Sequence, residues 1–209
     1  MRQNMIFIDP VAVDADGLAV AQAVAGAGAL TLAGALTSGG SFTGDYARRL
    51  GILSSGVDTG ITFLVTGTDA DGKAQTETVT GASSSTAETV EFFKTVSSVV
   101  ASGAAAANVS VGTVDEFVTN TVPLNTYNSD PATVSLEGFS GTINVSLEQT
   151  LSRVQWDTIN WIPGPSWAAT VDRSATGDLH NHASGVRLVC NSHSTSAELY
   201  MVINQNRCA

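Results

Sequence analysis

The stretch Ile61-Thr62-Phe63-Leu64-Val65-Thr66-Gly67-Thr68-Asp69-Ala70-Asp71-Gly72-Lys73-Ala74-Gln75-Thr76-Glu77-Thr78-Val79-Thr80 decides the fold class. Its first arm is built from Thr, Val, Ile, Leu and Phe, and its second alternates small or acidic residues with Thr and Val. Such residues suit a pleated, half-buried surface. Asp69-Ala70-Asp71-Gly72 between the arms supplies the turn, so the stretch predicts a β-hairpin.

The same short period recurs on both sides of this hairpin. Leu30-Thr31-Leu32 and Leu36 precede Gly39-Gly40, and Arg48-Arg49-Leu50-Gly51-Ile52-Leu53 begins another strand. Thr89 to Val100, with its β-branched and aromatic content, predicts a strand, as do Asn108 to Thr113, Thr133 to Gly138, Gly141 to Thr150, Val186 to Cys190 and Ala197 to Gln205. Many short strands separated by turn residues predict an all-β chain, a β-sandwich of jelly-roll type with two β lobes as one option. Residues 41–114 form the first lobe and residues 132–209 a second lobe or the completion of the same sandwich. The less regular stretch 115–131 reads as a linker or crossover. Residues 1–40 read as an extended N-terminal arm, because Ala19 to Ala29 consists of small residues that bury little area on their own. Something outside its own core would then hold the arm, such as a neighbouring subunit. Its apolar residues Ile6, Phe7, Ile8, Leu18, Val20, Leu30, Leu32 and Leu36 are the expected contacts.

The 209 residues carry 9 Lys and Arg against 19 Asp and Glu, a net charge of −10, and only 13% of the residues are charged. This balance argues against nucleic acid and anionic membranes as partners, since phosphate affinity comes from clustered Lys and Arg. The run Met5 to Ile8 ends at Asp9-Pro10, too short for a secretory core, and no segment reaches the ~18 apolar residues of a membrane helix. The expected place of synthesis is the cytosol. Cys190 and Cys208 match neither a redox pair nor a zinc-ligand spacing, and in a protein assembled in the cytosol the expectation is two reduced thiols.

Several constellations invite a chemical reading. Asp14-Ala15-Asp16-Gly17 and Asp69-Ala70-Asp71-Gly72 look like calcium loops, but the twelfth position counted from Asp69 is Thr80, where an EF-hand needs a Glu. Both read as turns that use Gly at positive φ. His180 and His182 would face the same way on a strand, with His193 as a third ligand, yet Asp178 to Gly185 reads as a polar loop and no metal is assigned. A Gly-x-Ser-x-Gly elbow is missing, and Glu137 with Glu148 lacks the aromatic platforms of a glycosidase cleft. The expectation is therefore a protein that is not an enzyme and takes no cofactor. Trp156, Trp161 and Trp167 share one turn-rich stretch with Pro163-Gly164-Pro165. They read as plugs for the mouth of a sandwich, with a sugar-binding or receptor-contact loop as the alternative.

Arg48 to Gly81, together with Phe93 to Val99, Asn108 to Thr113, Asp14 to Leu36 and Gly185 to Val189, resembles structural proteins of tailed bacteriophages. The resemblance covers most of the chain and is most specific in its N-terminal half. It implies a virion structural protein and leaves head or tail open; the expected location is the capsid surface, with assembly in the host cytoplasm. The expectation is a cement or decoration protein that bridges major capsid subunits and associates with itself as a dimer or trimer, with Trp156, Trp161 and Trp167 as further interface residues. A tail or neck component (adaptor, nozzle or fibre-attachment protein) is the alternative, and a host-glycan-binding module is the third.

Overall fold

The computed structural model describes residues 2–125, 132–152, 159–169, 175–179 and 183–205. These residues form strands joined by turns, with no helix among them. The chain divides into two compact units, Val13–Phe117 and a second made of Met1–Ala12 with Val118–Ala209. Strand β1 (Arg2–Ile8) belongs to the second unit.

The unit Val13–Phe117 holds β2 (Ala19–Gln22), β3 (Gly28–Ala29), β4 (Thr37–Ser38), β5 (Ser41–Ser54), β6 (Thr62–Thr68), β7 (Ala74–Thr80), β8 (Thr86–Glu88), β9 (Phe93–Ala101) and β10 (Val109–Val118). Its main sheet runs β10-β5-β9-β6-β7, and β2, β3, β4 and β8 are short additions to it. Phe42, Leu50, Phe63, Val65, Val96 and Val99 fill its core, and Leu18, Leu30 and Leu32 join the same cluster. The hairpin expected at residues 61–80 is β6 and β7, paired from Thr62↔Thr80 to Thr68↔Ala74. Its turn is closed by the Asp69 carboxylate, which accepts the N–H groups of Asp71 and Lys73 at 2.9 Å each, and Gly72 takes the left-handed conformation at φ +82°.

Three local departures from the expected pattern have physical causes. Leu30 and Leu32 are buried with Thr31 exposed between them, as a strand requires, yet no backbone ladder runs along residues 30–33. The Gln22 amide takes the ladder's place, accepting the Thr31 N–H and donating to the Thr31 carbonyl, both at 2.9 Å. The stretch expected as one strand from Thr89 to Val100 breaks at residues 89–92. There buried Thr89 turns its hydroxyl to the Leu50 N–H, and the Glu77 carboxylate accepts the N–H groups of Val90 and Glu91 at 2.8 and 2.9 Å. In the other Asp-x-Asp-Gly turn Gly17 is not at positive φ; a Cβ there would lie 2.7 Å from the Leu36 side chain and 2.9 Å from the Asp14 Cβ, so the Gly lets these neighbours pack where a larger residue would displace them.

The other unit adds β11 (Val122–Pro123), β12 (Thr133–Ser140), β13 (Ile143–Thr150), β14 (Ile162–Ala169), β15 (Ala175–Asp178), β16 (Gly185–His193) and β17 (Glu198–Gln205) to β1. One sheet has the order β1-β17-β12-β15, and β14, β13 and β16 are neighbours in the other, with β11 against β16. The inner faces are apolar: Ile8, Val134, Leu136, Leu199, Met201 and Ile203 on the first, Ile143, Val145, Leu147, Val186, Leu188 and Cys190 on the second. Two antiparallel sheets, each with one buried face, are the arrangement of a β-sandwich. Burial of side chains of this size contributes about 1.5–3 kcal/mol each, which makes these faces the main source of stability.

The expected division of the chain is corrected in two places. Residues 1–40 are not an arm held from outside: β1 pairs with β17, and Leu18, Leu30 and Leu32 lie in a core of their own unit. Residues 115–131 are not all linker, since β10 continues to Val118 and β11 pairs with β16. Asp115 and Glu116 disguise that strand end in the sequence, and the Glu116 carboxylate is occupied by the Arg49 guanidinium.

Candidate functional site

Strands β6, β7 and β9 carry an outer face whose composition stands apart. Cross-strand pairing sets Thr80 beside Thr62, Thr78 beside Leu64 and Leu64 beside Val100, and Thr76 beside Thr66 and Thr66 beside Ser98. All of these side chains are exposed or half-buried, whereas Phe63, Val65, Val79 and Val99 on the opposite face are in the core. No ionisable residue occurs among them. Successive residues of a strand alternate between faces, so the period-two Thr spacing of the sequence puts a hydroxyl and a methyl at Thr62, Thr66, Thr76, Thr78 and Thr80 of this surface, beside Leu64, Val100 and Ser98. At its edge the Thr68 and Thr95 hydroxyls bond to each other at 2.8 Å, and Ser102 ties β9 to Thr62 through its hydroxyl at 2.8 Å.

The second candidate is the surface around Trp161. Glu148 on β13 and Arg187 on β16 are directly opposite each other, and the Arg187 Nε donates to the Glu148 carboxylate at 2.7 Å. The guanidinium carbon sits 4.1 Å from the Trp161 ring centre, a cation-π contact that also covers one face of the indole. The Thr150 hydroxyl bonds to the Asn160 carbonyl at 2.8 Å and anchors the approach to the ring. Trp161 is thus a half-buried ring clamped by an ion pair.

The remaining residues singled out in the sequence fall as follows. Ile8, Leu18, Leu30 and Leu32 are buried, Ile6 and Leu36 are half-buried, and Phe7 and Val20 are exposed. Trp167 lies in β14 opposite Val145, away in register from the Glu148 position. Trp156, His180, His182 and Cys208 lie outside the described residues. His193 ends β16 with Nδ1 3.0 Å from the Ser194 carbonyl, and Cys190 is buried with its thiol donating to the Ser192 carbonyl at 3.3 Å. Glu137 and Glu148 are not brought together as a pair: Glu137, on β12, accepts from the Ser135 hydroxyl at 2.8 Å, and Glu148 holds Arg187.

The arrangement nearest to a hydrolytic pair is Ser54 with Asp58, both buried. The Ser54 hydroxyl donates to one Asp58 oxygen, the other accepts the Ala106 N–H at 2.6 Å, and the Gly56 N–H donates to the Ser54 hydroxyl at 3.1 Å. The pair thereby fastens loop backbone at Gly56 and Ala106. One cleft of about 140 Å³, bordered by Asn4, Val122, Pro123, Leu124, Ile203 and Gln205, is well below the ~300 Å³ where sites for organic ligands begin.

No family model matches the chain, and neither a curated protein nor a solved structure is similar to it. The uncharged β6-β7-β9 face was missed as a site by sequence reasoning, although the Thr spacing that makes it was visible. Glu148 and Arg187 were missed as partners of Trp161, and nothing local in the sequence joins residues this far apart.

Proposed function

We propose that this chain is a virion structural protein that acts by packing, most specifically a capsid cement or decoration protein of a tailed bacteriophage. The single observation that carries the reading is the uncharged β6-β7-β9 face. A chain with 19 acidic and 9 basic residues has to place its charges somewhere, and it leaves this three-strand surface without any. Burying an ion costs several kcal/mol unless it is paired, whereas a hydroxyl needs only one hydrogen bond and a methyl none. A Thr, Ser, Leu and Val face therefore suits burial against a repeated protein surface such as the major capsid protein. A modest contact of this kind becomes durable through many copies. The acidic remainder of the molecule fits a position facing solvent, away from packaged DNA.

Leu64 lies at the centre of the face and is exposed, so Leu64→Glu tests the reading without disturbing the core. The expected result is at least a tenfold loss of binding to capsids stripped of this protein, with the melting temperature unchanged. Undiminished binding would overturn the assignment of this face. The tail or neck alternative uses the same face and differs in copy number. A glycan-binding role would rest on Trp161, whose ring already has one face covered by Arg187.

A further inference from the structure

Strand β1 is an edge. It pairs with β17 at all seven positions from Arg2↔Gln205 to Ile8↔Leu199, without a bulge, and no strand among the described residues pairs its other side. Every second residue of an edge strand aims its N–H and C=O away from the sheet, a template that proteins usually blunt with Lys, Pro, a bulge or brevity. β1 has none of these between Gln3 and Ile8. The opposite edge of this sheet, β15, is protected by its length of four residues. The outward face next to the open edge is also apolar: Met5 is 64% exposed and Phe7 45%, and Phe7 packs on Tyr200 with ring centres 4.9 Å apart.

We infer that β1 is the seam of a two-fold homodimer, formed by antiparallel pairing of β1 with β1 of a second copy. Centred on Met5, this register sets Met5 against the partner's Met5 and Gln3 against the partner's Phe7, and it uses all seven positions. Residues on the outward face meet outward residues, as a two-fold axis perpendicular to the sheet requires. The two sheets become one of eight strands, and the Met5 and Phe7 of both copies join into one apolar strip. Charge does not oppose this occupant along the seam. Two chains of −10 meet along a segment with no charge between Gln3 and Ile8, and at each end Arg2 of one copy comes beside the Ile8-Asp9 end of the other. Addition of β1 to β15 of another copy would match seven residues to four and would propagate as an open chain instead of closing. The inference stands on this edge and does not depend on the virion reading.

The test is sedimentation velocity on the full chain at micromolar concentration, for the wild type and for Met5→Lys. A wild-type dimer and a Met5→Lys monomer with an unchanged circular dichroism spectrum are expected, because the substituted side chain is exposed in one copy and faces its own charge in two. As a second arm, Met5→Cys treated with a short bismaleimide gives a cross-linked dimer under conditions where the wild type, with its own cysteines, gives none. A monomeric wild type, a dimer that survives Met5→Lys, an open polymer, or the lack of a Met5→Cys cross-link would each overturn the seam.

Discussion

Arg48 shows how a single residue can be fixed by a defect in its strand. It is 2% exposed, donates to the Asp45 carboxylate through Nε at 3.0 Å and Nη2 at 2.9 Å, and lies 5.7 Å above the Phe117 ring. On an unbroken strand positions 45 and 48 would face opposite ways; the register shift between Thr43 and Arg48 in β5 brings them together. That shift is invisible in a hydrophobicity pattern, which is why the pair was not legible in the sequence. Removing the anion takes two charge-assisted hydrogen bonds from a buried guanidinium, so Asp45→Ala should lower stability in urea unfolding by about 3 kcal/mol. Arg48→Met combined with Asp45→Ala should recover most of that loss, because the desolvated charge is gone as well. Gly67 is a second such residue: a Cβ would stand 1.8 Å from the Thr95 carbonyl oxygen, at the register shift between β6 and β9. Gly67→Ala should cost about 1–3 kcal/mol by the overpacking it forces, measured in the same unfolding experiment.

At the scale of elements, what the sequence states most clearly is what is most local. The β6-β7 hairpin is legible because both arms and the turn lie within twenty consecutive residues, and its closure by Asp69 makes Asp69→Ala a loss of the side-chain acceptor shared by two N–H groups, about 1–2 kcal/mol by thermal unfolding. Residues 30–33 are legible only in part. Their alternation announces a buried and an exposed side, but the Gln22 amide that completes the hydrogen bonding comes from nine residues away and has no periodic signature. Gln22→Ala should strip the Thr31 amide of its protection in hydrogen exchange while global stability changes by less than about 1 kcal/mol, since Thr31 is solvent-exposed. Exchange at Thr31 equal to the wild type would contradict this account of the segment. The N-terminal segment was misread for the opposite reason. Small residues from Ala19 to Ala29 conceal that Leu18, Leu30 and Leu32 are core positions, because what buries them is the β5-β9-β6 sheet supplied later in the chain.

For the molecule as a whole, the all-β class follows from the sequence, whereas the pairing of β1 with the distant β17 and the clamp on Trp161 follow from contacts that only folding creates. The same holds for the proposed packing face: the Thr spacing is local, but the rows that span β7, β6 and β9 depend on register. Charge is the property that links the whole molecule to its proposed role, with −10 distributed so that one three-strand surface carries none. The cement reading predicts that this surface is occupied many times over in an assembled particle. The most direct measurement is the amount of this protein relative to the major capsid protein in purified virions, before and after removal of the tails. The account predicts on the order of one copy per capsid subunit, unchanged when the tails are removed. A few copies per particle, lost together with the tails, would contradict it.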